Sequence, residues 1–120
     1  MNNGNQTRRP LGSSTALGYP LSIPANAPVN IHEYDSSSVQ NGGAYTDTVT
    51  LYLSNSSAAD ILVTITVAGG TPLIVNVVAQ ESLLVLDGIP TRGVSGTPTY
   101  VTGQAAAAPG VVAFGYFTRA

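Results

Sequence analysis

The chain has 120 residues, of which 43% are apolar and 8% are charged, and its net charge is −2. This length and apolar content predict one folded domain, while four arginines without any lysine exclude the basic stripe that binding to nucleic acids or anionic lipids requires. The lack of cysteine excludes disulfides and thiolate metal sites, and a polar N-terminus without any apolar run of about 18 residues predicts neither a secretory signal nor a membrane span.

The first 28 residues differ in composition from the rest of the chain. Their four prolines lie among Gly, Asn and Ser, and proline favours extended geometry while offering no ladder donor. We therefore expect an extended N-terminal arm over 1–28, with a short strand near 21–23, followed by a β-domain over 29–120. A solvated tail is the alternative, but such a tail does not need apolar residues. The arm's candidate partner contacts are Tyr19, Leu21 and Ile23.

From Val29 onward the sequence alternates in the manner of β-strands. Val49, Leu51 and Leu53 alternate with polar residues, and the same period of two continues in the next two segments. Paired glycines between those segments predict a hairpin turn. The predicted strands cover 45–55, 60–67, 72–78, 83–86, 99–102 and 111–118, with loops at 87–98 and 104–109.

The spacing of these strands indicates the fold class. Short antiparallel strands recur every 8–12 residues, and no segment has a sustained helical period. The sequence therefore predicts an all-β protein, an antiparallel β-sandwich of about seven strands, immunoglobulin-like or jelly-roll-like, preceded by the extended arm.

Three apolar side chains are predicted on an outer face of the sandwich. If the alternation holds, Leu62, Ile74 and Val78 point away from the core, where polar residues are usual. Cover by a loop or by the second sheet is one explanation. A contact between subunits or with a partner is the other, and it makes these residues candidate contacts.

The sequence contains little that indicates catalysis. His32 is the one histidine, and Glu33 and Asp35 lie nearby, but neighbouring strand residues project to opposite sides and no nucleophile elbow is present. We expect a strand histidine with ordinary hydrogen bonds and no enzymatic activity. One histidine cannot hold zinc, and two carboxylates do not complete a calcium loop, so neither a metal nor a cofactor is predicted.

Five segments of the chain carry a distinctive set of sequence features. They are a strand ending in Leu-Tyr-hydrophobic-Ser/Thr-Asn-Ser/Thr, a following Thr/Ile/Val strand, an Ala-Gln-Glu/Ser segment, a Gly-hydrophobic-Pro turn and a closing Phe-Gly-Tyr-hydrophobic-x-Arg. In this sequence the features lie at 51–57, 60–67, 79–82, 88–90 and 114–119. Together these segments resemble small bacteriophage virion proteins, and the resemblance covers residues 45–119 and excludes the arm.

The resemblance implies a virion structural protein, and we expect a decoration (cement) protein that binds major capsid subunits. Such a protein is made in the bacterial host cytoplasm and lies on the outer capsid surface, and we expect a homotrimer. The sparse charge agrees with a surface that is covered in use. The alternative is a carbohydrate- or receptor-binding module of a phage head fibre or tail, for which Tyr100 with Arg92 is the candidate site.

Overall fold

The computed structural model describes residues 8–12, 20–34, 46–67, 70–92 and 99–119. These residues form nine β-strands and no helix. In chain order the strands are β1 Arg9–Pro10, β2 Leu21–Ser22, β3 Val29–Tyr34, β4 Thr46–Asn55, β5 Ile61–Val67, β6 Leu73–Val77, β7 Ser82–Arg92, β8 Thr99–Ala105 and β9 Val111–Arg119.

Two antiparallel sheets pack face to face. In sheet A, β4 lies between β7 and β9, and both β1 and β2 pair with the other side of β9. Sheet B has the order β3–β8–β5–β6. The predicted all-β antiparallel sandwich is confirmed. It has nine strands instead of about seven because the N-terminal segment contributes the two short ones.

The core lies between the sheets and follows the predicted alternation. Val49, Leu51 and Leu53 of β4 are fully buried against Val63 and Ile65 of β5. β6 departs from the alternation: with Ile74 and Val78 predicted to point outward, Leu73 and Val77 are expected on the inner face, but only Val77 is buried and Leu73 is 44% exposed. The reason is position, because β6 is the last strand of sheet B and has no neighbour on its outer side among the described strands.

The prediction of a loop from residue 87 is wrong over its first part, because β7 continues to Arg92. Asp87 and Gly88 together oppose Thr50 in a β-bulge, which Gly88 accommodates at a φ of 62°. Pro90 is tolerated because β7 is an edge strand, where a missing N–H need not interrupt a ladder. Gly and Pro therefore mark a bulged edge strand here.

The loop predicted at 104–109 starts two residues later in the structure, after Ala105. β8 continues through Gln104 and Ala105, because Ala105 N–H donates to the carbonyl of Pro24 at 2.9 Å and the Gln104 side chain donates to the carbonyl of Ala25. These partners lie far away in sequence, so no local pattern indicates them. The last strand is present as predicted, as β9.

The described parts of the N-terminal segment join the two sheets along one side of the sandwich. Next to β1, Leu11 N–H donates to Gly115 of β9, and Gly12 O accepts a bond from Glu33 N–H of β3. Ile23 is 1% exposed, and a methyl group on Gly103 would lie 3.6 Å from its Cδ1. This segment thus contributes to the core, and the predicted boundary at residue 28 stays a prediction.

Candidate functional site

His32 lies at the centre of a buried polar connection between the sheets. It projects inward from β3, and its Nε2 lies 2.9 Å from Oδ2 of Asp47, near the start of β4 in sheet A. Both side chains are almost fully buried. The predicted strand histidine held by hydrogen bonds is confirmed.

The surroundings of the ring indicate its tautomer. Gly12 N–H donates to His32 Nδ1 at 3.4 Å, so Nδ1 acts as an acceptor. The hydrogen of a neutral ring then lies on Nε2 and is donated to Asp47. Phe117 packs against the imidazole with ring centroids 4.3 Å apart. The His32–Asp47 pair therefore ties β3, β4 and the N-terminal segment together.

Both side chains of the pair are buried, so the pair forms part of the packing between the sheets. Asp35 and Ser36–Ser38, the other residues of the histidine-containing stretch, lie outside the described residues. Asp47 was not recognised from the sequence because it is 15 residues from His32 and its role exists only across the sandwich.

A second buried polar group lies at the opposite end of β4. Asn55 Nδ2 donates to the carbonyls of Ala59 at 2.8 Å and of Val77 in β6 at 2.9 Å. Its Oδ1 accepts from the amide and the hydroxyl of Ser57. Both donors and the acceptor of this amide are therefore used, and one side chain closes a turn and links sheet A to sheet B.

Metal binding and membrane spanning have no support in the described part of the chain. No group of three or more His, Asp or Glu side chains lies close enough there to hold a metal ion. The same residues include no helix with the length and hydropathy of a membrane span.

The outer face of sheet B contains the predicted apolar residues. Leu62 is 51% exposed and Ile74 is 64% exposed, and Val78, just after β6, is exposed as well. The predicted outward orientation of all three is thus confirmed. Leu62 and Ile74 border an open cleft of about 420 Å³, whose other lining includes Ala25, Thr64, Gln104 and Ala106.

The other candidate contacts have different positions. Leu21 is half-buried beside the core, and Ile23 belongs to the core itself, so Ile23 is not part of the outer surface. Tyr19 lies outside the described residues. Tyr100 belongs to sheet B and Arg92 to the end of β7 in sheet A, so the two residues of the candidate glycan site are on different sheets.

The outer face of sheet A has an aromatic row that the sequence analysis did not identify. Tyr52 of β4 stacks on Phe114 of β9, with centroids 5.4 Å apart and planes 9° apart. Leu84 of β7 lies opposite Tyr52 on the other side of β4, and its side chain is exposed. Arg8 lies over the ring of Tyr116 at 4.5 Å. The alternation in β4 and β9 indicates this row only once the two strands are known to be neighbours.

The chain matches no protein-family model, and comparison with curated proteins and with solved structures finds no similar chain.

Proposed function

We propose that the chain is a non-enzymatic structural protein of a bacteriophage virion, which decorates the outer capsid surface by binding major capsid subunits. The observation that best supports a binding role is that the outer faces of both sheets present apolar and aromatic side chains where charged residues are usual. The resemblance of residues 45–119 to small virion proteins is the reason for proposing capsid decoration in particular.

The exposed side chains set the physical basis of the proposed contact. Leu62 and Ile74 line the same cleft and Val78 is exposed as well, and burying apolar surface contributes about 25 cal/mol per Å². Few charges are available for attraction over distance. The contact therefore rests on apolar burial and backbone hydrogen bonds, and its affinity depends weakly on salt.

Stabilisation of the shell follows from mass action in this proposal. A protein that binds the assembled shell and not its dissociated subunits shifts the equilibrium toward assembly. No cofactor takes part. The candidate contacts on the outer face of sheet B would then face the capsid.

The test is thermal disruption of particles with and without the protein, at low and at moderate salt. We expect a higher disruption temperature with the protein, and nearly the same increase at both salt concentrations. Leu62→Asp should reduce the increase, because it places a charge in the apolar contact. Ala58→Asp is the matched control, since it adds the same charge on an exposed turn. Equal disruption temperatures with and without the wild-type protein would refute the decoration role.

A second candidate, a carbohydrate-binding module of a phage fibre or tail, is favoured by the aromatic row on sheet A. Stacked, partly exposed rings beside an arginine offer flat apolar surface next to a hydrogen-bond donor, which suits a sugar ring. Glycan binding by the purified protein that is lost in Tyr52→Ala, with the fold unchanged, would favour this function over capsid decoration.

A further inference from the structure

The edges of the two sheets differ in how well they are protected against pairing with another strand. Natural proteins protect such edges with bulges, prolines, charges or cover from another segment. β7 has the bulge at Gly88 and Pro90, β9 is covered by β1 and β2, and β3 is bonded to Gly12 through Glu33 N–H.

Within the described part of the chain, the edge at β6 has none of these features. Its sequence, Leu-Ile-Val-Asn-Val, includes no charge and no proline, and its register with β5 is regular from Ile61↔Val77 to Ile65↔Leu73. Among the described residues, β5 is its only strand partner. Ile74 and Leu73 are both exposed there. β6 is therefore the edge most open to strand addition.

The hydrogen bonds of β5 show which backbone groups of β6 point outward. Ala106 N–H donates to the carbonyl of Leu62, so the backbone groups of Leu62 face β8. Alternation along an antiparallel strand then turns Ile61 and Val63 toward β6, where they pair with Val77 and Val75. The backbone groups of Ile74 and Asn76, the residues on either side of Val75, consequently face away from β5.

This pattern is complementary to itself. If a second copy places its β6 antiparallel with Val75 opposite Val75, Ile74 of each copy lies opposite Asn76 of the other. Each of those two pairs exchanges both backbone bonds, giving about four N–H···O=C bonds around a two-fold axis. No charge opposes another, because β6 has none. The Asn76 side chain is bonded to Asp60 on the outer face, which leaves its backbone groups available.

We propose that two copies of this chain associate through β6, so that sheet B continues from one copy into the next. The partner strand covers Leu73, which the alternation of β6 places on the core side but which is exposed because no described strand lies beyond β6. The partner is a second copy because the same five residues supply matching donors, acceptors and uncharged side chains in one register. The inference does not depend on what the sheet faces bind.

The experiment measures the mass of the purified full chain in solution between about 10 µM and about 1 mM, the range of weak interfaces. We expect a monomer–dimer equilibrium for the wild type. Ile74→Pro removes an outward N–H that β5 does not use, so it should keep the fold and raise the dissociation constant at least about tenfold. A wild type that is monomeric throughout, or that forms only trimers, would overturn the proposal.

Leu62→Lys is the matched control, because it changes an exposed apolar side chain on the same face without touching the β6 edge. It should leave the dimer intact. Loss of association in Leu62→Lys equal to that in Ile74→Pro would mean that the face, and not the edge, makes the contact, and would refute the proposal.

Amide hydrogen exchange tests the same pairing without any substitution. The amides of Ile74 and Asn76 should be protected at high concentration and exchange faster on dilution. The Val75 amide faces β5, so its protection should not change with concentration. Exchange at Ile74 and Asn76 that is independent of concentration across the same range would contradict the proposal.

Discussion

The two ends of β4 each bury a polar side chain between the sheets, but they satisfy it in different ways. Asp47 binds the imidazole of His32 in sheet B, which is held in turn by Gly12 of the N-terminal segment. Asn55 binds Ser57 and Ala59, only two and four residues further along, and adds one distant bond to β6. One end depends on distant parts of the chain, and the other depends mainly on its own turn.

This difference determines how much a mutation at each end of β4 changes the free energy of unfolding. Loss of a hydrogen bond costs more at a buried carboxylate than at a buried neutral amide, because the carboxylate is charged. The end at Asp47 is therefore expected to be the more sensitive to mutation. The end at Asn55 is expected to form earlier in folding, because its contacts are local.

His32→Leu should have the largest effect, a loss of about 3–5 kcal/mol in the free energy of unfolding. It removes the 2.9 Å partner of a buried carboxylate and the aromatic contact with Phe117. Urea denaturation followed by circular dichroism gives the value.

Asp47→Asn is the matched control for that change, because it keeps an oxygen that can accept from Nε2–H while removing the charge. We expect a smaller loss, of about 1–2 kcal/mol. If both variants were as stable as the wild type, the pair would not be a stabilising connection between the sheets.

Asn55→Ala should have an intermediate effect, about 2–3 kcal/mol, since the carbonyl of Val77 and the amide of Ser57 lose a buried partner together. Ser57→Ala, which keeps the Asn55 amide, should cost about 1 kcal/mol or less because its hydroxyl lies near the surface. Denaturation curves of the two variants are compared directly. A larger loss for Ser57→Ala than for Asn55→Ala would show that the turn, and not the link to β6, provides the stability.

The same contrast explains what the sequence could predict. Period-two alternation identifies β4 and β5 because it depends only on which residues face the core. The turn between the strands predicted at 45–55 and 60–67 follows equally from local sequence, since its Asn and Ser residues form local hydrogen bonds. The His32–Asp47 pair, the extension of β8 to Ala105 and the aromatic row on sheet A depend on which distant segments become neighbours. Local patterns in the sequence do not indicate which segments those are.

Substitution of Asp60, at the Asn55 end of the molecule, should give the smallest change in stability and the most specific test. Its carboxylate accepts a bond from the Ala79 amide at 3.0 Å and another from the Asn76 side chain at 3.3 Å. The Ala79 bond, followed by that of Asn76, lowers the pKa of Asp60 below its usual 3.8. A lowered pKa in the folded state means that the stabilisation is present above the unfolded value and is lost as pH falls through the folded value.

Asp60→Asn should therefore lower the urea midpoint slightly at neutral pH, and the difference from the wild type should shrink as the pH falls below about 3.8. The effect is small because the group is fully exposed to solvent, where water and salt screen it. Added salt should reduce it further. A difference that grows toward acidic pH would mean that the carboxyl is better bonded in its protonated form, which would contradict the assignment of Ala79 and Asn76 as donors to a charged Asp60.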